Sequence, residues 1–397
     1  MRLLGVVWLV APLLWLDPCQ MNGQEKDDVL WKKACRIHDE ALVIDAHGHP
    51  QLSSAPDPTA LDLGRKTENS LIDFVTMKQG GLDAVFMAMP LRGEADRDNP
   101  VKGILESIER IRQQVGQYSD LAEIALSPSD VQRIHKSRKR AVLLSTEFPG
   151  HLVGNIENVE RYYRQGVRSF TLTSDQLLRS DTGDQEEGLS AFGRGVVKEM
   201  NRLGMLIDIS HAGDPQQLAV VRESKAPVVA SHSCVRALNA KPRNIPDNIL
   251  KAIAEQGGVV AVTFSSNHLS KDYAEQFQRA RVDYEAAKAK IEKVLEGNEE
   301  ELEGKLDELR SRLFPKRVSI DLLMDHIDHA VEVAGIDHVG LGSDFVGTSN
   351  PIGLETAEGL TLITYHLLKR GYREEDIKKI LGANLLRVFE EVQHVST

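Results

Sequence analysis

Eight short runs rich in Val, Ile, Leu and Phe punctuate the chain, at 41–47, 83–91, 140–147, 167–173, 206–211, 228–233, 258–264 and 338–345. Several are apolar almost without interruption, as strands buried on both faces must be. The intervals between them have helical character, and alternation of this kind builds a parallel sheet with right-handed crossovers. The expected fold class is therefore α/β, a (β/α)8 barrel of the TIM type. Two helices are well delimited. One spans 190–203 and closes on Gly204; the other spans 244–256, with Pro246 near its start and Gly257 after its end. Segment 271–313 departs from the pattern, being charge-rich and helix-prone with Glu three or four residues from Lys or Arg. It reads as a helical insertion after the seventh strand, either a solvated surface hairpin or, less favoured, a lid or oligomer contact. No repeat of solenoid period is evident, and residues 25–397 are expected to form one domain that includes this insertion.

Charge narrows the choice of partner. A formal net charge of -11 and a pI near 5.7 leave no basic surface for a phosphate backbone, so a small-molecule substrate is expected and no nucleic acid. The three cysteines, Cys19, Cys35 and Cys234, follow neither a zinc-ribbon nor a disulfide-framework spacing, so any metal must be held by His and carboxylates. After a single Arg, residues 3–16 form an apolar run too short to span a bilayer. Residues 1–24 are accordingly read as a signal peptide. The mature protein is expected to be secreted or periplasmic, without a transmembrane helix; lipid anchoring at Cys19 is the weaker alternative, because Leu16-Asp17-Pro18-Cys19 is a poor lipoprotein signal.

The chemistry lies at the ends of the runs. In an α/β barrel the C-terminal rim of the strands carries the active site, and here that rim would hold His47, His49, Glu147, His211, His232 and Asp344. His47 and His49 sit two residues apart, so on an extended strand both face the same side and can share an ion. A lone pair of this kind is as often two hydrogen-bonded core histidines. Two further strands, each delivering one His to the same rim, are much harder to explain as packing. Glu147 and Asp344 add negative charge, and Glu147 is the natural bridge between two ions. Asp344 could instead be a turn or N-cap aspartate; its functional role would be to hold a water and take its proton.

At this point the motifs resemble the membrane dipeptidase (renal dipeptidase) family of zinc-dependent dipeptidases, within the amidohydrolase-like superfamily. The resemblance is carried by Ile44-Asp45-Ala46-His47, Thr146-Glu147-Phe148-Pro149-Gly150-His151, Gly188-Leu189-Ser190-Ala191-Phe192-Gly193, and Glu199-Met200-Asn201-Arg202-Leu203-Gly204-Met205. It continues in Asp208-Ile209-Ser210-His211, Ser231-His232-Ser233, Pro242-Arg243-Asn244-Ile245-Pro246-Asp247 and Gly340-Leu341-Gly342-Ser343-Asp344-Phe345. It implies a metal-dependent hydrolase barrel with two Zn2+. Glu147 bridges, His47 and residue 49 serve one ion, and His211 and His232 serve the other. It also implies a small peptide substrate, with a D-residue allowed at its C-terminal side, cleavage by metal-bound hydroxide with Asp344 and Glu147 catalytic, and a homodimer. Arg243 would grip the terminal carboxylate, a role that suits a guanidinium fork; pairing with Asp247 is the plainer alternative.

The chain departs from the family pattern in three places. His49 stands where the family has Asp, Ser174 where it has the His thought to contact the scissile-bond oxygen, and Val346 where an Asp often follows Phe. Ser174, His151 or Asp175 would then serve the substrate side. These departures keep two other readings open: a related amidohydrolase or lactonase acting on a different substrate, and a catalytically impaired binding homologue.

Overall fold

The computed structural model describes residues 28–50, 61–66, 71–89, 99–147, 152, 154–172, 188–295, 298–345 and 349–396. Nine parallel strands form one sheet: β1 Ile44–Gly48, β2 Ala84–Met89, β3 Ala122–Ile124, β4 Arg140–Thr146, β5 Val167–Thr171, β6 Leu206–Asp208, β7 Val229–Ser233, β8 Val259–Val262 and β9 Val339–Leu341. The order is β2-β1-β9-β8-β7-β6-β5-β4, and β2 pairs again with β4 from Ala84↔Ala141 to Met89↔Thr146, which closes eight strands into a barrel. Each of the eight expected strands is present. The short β3, which the hydrophobic pattern did not reveal, pairs with the first residues of β4 outside the ring.

Two layers of apolar side chains hold the barrel. The larger lies between strands and surrounding helices. A second joins Ala46, Phe86, Leu143, Leu206, Val229 and Ala261, from six different strands, to Leu385, Val388 and Phe389 of the C-terminal helix Asn384–Val395. Residues from so many strands can meet only in the lumen, so this helix forms its floor. Side chains alternate along a strand with period two. Ser145 and Glu147 therefore continue the inward parity of Leu143, Asp208 that of Leu206, and Ser231 that of Val229. The lumen is apolar at its floor and polar at its mouth.

Local signals explain the element ends that frame the site. The helix Ala191–Leu203 starts where the Ser190 side chain accepts from the Gly193 N–H and stops at Gly204, whose φ of 73° favours glycine. The second expected helix begins later than the sequence suggested, at Asp247 (Asp247–Glu255). Residues 244–246 are instead drawn against the end of β7, where the Ile245 and Arg236 N–H groups donate to the Cys234 and Ile245 carbonyls. The insertion is two helices, Lys271–Val294 and Glu299–Leu313, with a small core of their own around Tyr284, Leu306 and Leu309 and charged side chains outside. Among the described residues no helix is long and apolar enough to cross a membrane. The segment read as a signal peptide lies outside the described residues.

Candidate metal centre

The six rim residues converge. His47 Nε2 lies 3.1 Å from His49 Nε2, and His211 Nε2 lies 2.9 Å from His232 Nε2. Glu147, at the end of β4, sits between the two pairs. Its Oε2 is 3.4 Å from His49 Nε2 and 3.8 Å from His47 Nε2, while its Oε1 is 2.7 Å from His211 Nε2 and 3.7 Å from His232 Nε2. Asp344 Oδ1 is 3.7 Å from His49 Nε2. Two sets of potential ligand atoms result, His47 with His49 and Asp344, and Glu147 with His211 and His232, each gathered within 4.8 Å.

Backbone geometry puts these groups there. Asp344 has φ 55°, in the left-handed region that Asp tolerates better than most residues, and its N–H donates to the His47 carbonyl at 2.8 Å. This bond ties the end of β9 to the end of β1. Buried Asp45 reinforces the tie, accepting from the Ser343 and His47 N–H groups at 2.8 and 3.1 Å and from the Ser343 hydroxyl. Gly342 is required by proximity: a Cβ there would stand 1.8 Å from the Ser231 carbonyl oxygen, so any side chain would push β9 away from β7.

The electrostatics suit cations. Burial alone would raise Glu147, but hydrogen bonds from His211 and His47 hold it well below the usual carboxylate range. Asp344 is pushed up to about 7 by burial and by the Glu147 charge, against the pull of His47. Burial, aided by the His47 charge, lowers His49 to about 4 and drives His232 well below an ordinary imidazole. Those rings are therefore neutral at physiological pH, as ligands must be. His49 Nδ1 faces the Ala88 carbonyl at 3.1 Å, and because a carbonyl only accepts, Nδ1 carries the proton and a bare Nε2 lone pair points at the site. Imidazole nitrogens and carboxylate oxygens thus converge on one space. The donor set fits divalent cations of the imidazole- and carboxylate-binding kind. Cys234 contributes nothing to it, since burial pushes its thiol up and its S–H donates to the Thr263 carbonyl.

Arg243 borders the centre. Its guanidinium donates to the Ser233 hydroxyl at 3.2 Å and the His232 carbonyl at 3.3 Å. Asp247, the alternative partner considered above, lies instead 2.9 Å from His329 Nε2. No carboxylate pairs with Arg243 among the described residues. His151, Ser174, Asp175 and Val346 lie outside them.

The sequence reading overlooked the groups behind the ligands. Asp208 and Ser231 stand beneath the histidines, and Asp45 and Ser343 beneath Asp344. A sign was available: three of the four rim histidines follow Asp or Ser within three residues, in Asp45-Ala46-His47, Asp208-Ile209-Ser210-His211 and Ser231-His232. Lys241 and His268 were also missed. Asn244 Oδ1 lies 3.1 Å from His268 Nδ1, while Lys241 Nζ donates to the Asn267 carbonyl at 3.4 Å.

Comparison with known proteins follows the same line. The model of the family described as membrane dipeptidase (peptidase family M19) matches residues 31–397. The dipeptidase verJ of Clonostachys rogersoniana is 32% identical over 391 residues, covering 93% of this chain and 89% of that protein. The dipeptidase tcpJ of Claviceps purpurea is 30% identical over 340 residues, covering 82% and 70%. Among solved structures, the probable dipeptidase PvdM from Pseudomonas aeruginosa superposes with a TM-score of 0.77 at 24% identity, covering 94% of this chain and all of that one. A metallo peptidase from Rhodobacter sphaeroides, liganded with a phosphinate mimic of the dipeptide L-Ala-D-Ala, gives a TM-score of 0.68 at 22% identity, with coverage of 89% and 99%. At these identities the structural likeness is one of fold.

Proposed function

The chain belongs to the membrane dipeptidase family and is a hydrolase, and on that premise we propose that it cleaves the peptide bond of dipeptides, a D-residue being accepted at the C-terminal side, with two zinc ions bridged by Glu147. The observation that carries the reading is the division of Glu147 between the imidazole pairs, one oxygen to His47 and His49 and the other to His211 and His232. A carboxylate set in this way offers one ligand atom to each of two cations. His47 and His49 would hold one ion with Asp344 beside them; His211 and His232 would hold the other. When bound, the ions supply Lewis acidity, polarising the scissile carbonyl and lowering the pKa of an attacking water.

The remaining roles follow from the side chains. Asp344 is suited to receive a proton near neutral pH, because burial and Glu147 already bring its carboxyl to about 7. Arg243, half-buried and without a carboxylate partner among the described residues, has N–H groups left for the substrate's terminal carboxylate. Ser174 and His151 are assigned to the substrate side from their places in the sequence motifs that follow the fourth and third apolar runs. The L-Ala-D-Ala mimic held by the Rhodobacter sphaeroides relative supports the breadth at the C-terminal residue. Secretion through residues 1–24 and a homodimer belong to the same proposal; N-terminal sequencing of exported protein and light scattering test them.

The test of function couples metal analysis to a dipeptide panel. Two equivalents of zinc and hydrolysis of L,L and L,D dipeptides are expected, both lost in Glu147→Gln. A wild-type preparation that holds two ions and cleaves no dipeptide defeats the substrate assignment; one that holds none defeats the metal assignment.

A further inference from the structure

We propose that Ser231, acting with Asp208, is a positioning residue that fixes the tautomer of two metal-facing imidazoles at once, His47 from one ion set and His232 from the other. The inference rests on the two-ion reading of the site, but its evidence is the hydrogen-bond geometry beneath that site.

Asp208 is buried and surrounded by donors. Its Oδ1 accepts from the Ser210 N–H at 3.0 Å, the Ser210 hydroxyl at 2.6 Å and the Ser231 N–H at 2.9 Å; its Oδ2 accepts from the Thr171 and Ser231 hydroxyls, both at 2.6 Å. With five donors aimed at them, both carboxylate oxygens act only as acceptors. Ser231 has a single hydroxyl proton, and Asp208 takes it. The two lone pairs of Ser231 Oγ remain, and two imidazole nitrogens face them, His232 Nδ1 at 2.8 Å and His47 Nδ1 at 3.2 Å; the Ser210 hydroxyl, 3.3 Å away, gives its own proton to Asp208. Oxygen can only accept in both contacts. Each Nδ1 must therefore carry a proton, so in the neutral ring Nε2 is the bare nitrogen, turned toward Glu147. The two rings lie 3.8 Å apart between centroids and are tilted by 34°, so one hydroxyl orients a closely packed pair.

This arrangement also resolves an ambiguity. His47, Asp208 and His232 themselves form a third group with metal-ligand spacing. Ser231 Oγ stands among their three atoms at hydrogen-bond distance from each, so the position a third ion would need is filled by a hydroxyl. The triad is a proton-ordering relay. Carboxylate-to-imidazole contacts behind a metal are usually one to one and tune one ligand. Here a single serine serves both halves of the centre, so the two ions should respond together when it is lost.

Two substitutions separate this role from simple packing. Ser231→Ala removes the shared acceptor, and zinc affinity at both sites should fall about 10- to 100-fold together, the usual effect of losing such a partner. Asp208→Asn is nearly isosteric but changes the proton inventory. Its amide would accept at the Oδ1 position and donate at the other, toward Ser231 Oγ, turning the hydroxyl proton onto one imidazole. That ring would then carry its own proton on Nε2 and cease to be a ligand, so bound zinc should fall from two equivalents to one. The direct readout is NMR of ion-free protein labelled with 15N-histidine, recorded at a pH high enough that both rings are neutral, in which two-bond couplings distinguish the tautomers. His47 and His232 should both be Nδ1–H in the wild type, and one should switch in Asp208→Asn. An Nε2–H form of either residue in the wild type overturns the proposal, as does a folded Ser231→Ala protein that keeps both ions at wild-type affinity. If the wild type binds no zinc, the two-ion reading fails, and the wild-type spectrum still decides the tautomers without any variant.

Discussion

Replacing His49 by Asp, the residue usual in the family, should change the stability of the ion-free and loaded proteins in opposite directions. In the present chain the His49 Nε2 lies 3.4 Å from Glu147 and 3.7 Å from Asp344, and the ring is neutral. A carboxylate at 49 is shorter, so its charge would sit roughly 5–6 Å from those two; at an effective dielectric constant near 20, each like-charge pair then costs about 3 kcal/mol. Proton uptake relieves part of this, because Asp344 is already poised at about 7. The Ala88 carbonyl also loses its imidazole donor, at a cost of about 1 kcal/mol. The ion-free variant should be roughly 3–5 kcal/mol less stable near pH 7 and melt several degrees lower. With divalent cations present the same charge becomes attractive; after losses to desolvation and the missing imidazole, about 1–3 kcal/mol of tighter binding should survive, or roughly 10- to 100-fold. Thermal melts with and without zinc, together with competition against a chromophoric chelator, measure both quantities. A variant that melts with the wild type when ion-free and binds zinc no more tightly would refute the electrostatic reasoning, and with it the placement of residue 49 at an ion.

Other tests follow from the same geometry. Ion affinity should depend on pH with a definite sign. Asp344 keeps its proton up to about 7 in the ion-free protein, and although burial lowers His47, its bond to Glu147 and the surrounding carboxylate charges together raise it, so a cation must displace protons below that pH. Affinity should therefore rise about tenfold per pH unit and per proton up to roughly pH 7 and then level off, with proton release visible as buffer-dependent heats in calorimetry; an affinity flat from pH 5.5 to 8.5 contradicts it. Arg243→Met should raise KM roughly 10- to 100-fold while kcat changes less, because a carboxylate contact made in both ground and transition states is lost; an equal drop confined to kcat would remove Arg243 from substrate binding. Gly342→Ala forces a methyl against the Ser231 carbonyl and should cost about 1–3 kcal/mol of stability while weakening zinc binding, both measurable on one titrated melt series. A neutral outcome there would mean that β9 can move without disturbing Ser231.

Much of this was legible in the sequence because barrel geometry converts chain order into spatial order. Each near-continuous apolar run became a strand, and a polar residue at the end of a run had to appear at the rim. His47, Glu147, His211 and His232 could thus be brought together from positions 185 residues apart without any knowledge of contacts. Short β3 escaped because three residues give no usable period, and the start of the helix at Asp247 was misjudged because Asn244 and Ile245 satisfy their hydrogen bonds against neighbouring loops and the end of β7 instead of within a helix.

The layer beneath the ligands was only faintly legible, for a different reason. Asp208, Ser231, Thr171 and Asp45 carry no periodic signature; a buried Ser or Asp in a strand gains meaning only from what faces it across the sheet. Asp208 meets Thr171 from β5 and Ser231 from β7, and Ser231 in turn meets His47 from β1. Each contact depends on strand register, which the hydrophobic pattern fixes only modulo two. That layer nonetheless decides the state of the site. Four imidazoles offer eight nitrogens, and which of them are bare is set by the groups behind them: the Ala88 carbonyl for His49 and the Ser231 hydroxyl for His47 and His232. The ligand set named from sequence is thus a list of residue types, and the hydrogen bonds beneath it decide which nitrogen three of those rings turn toward Glu147.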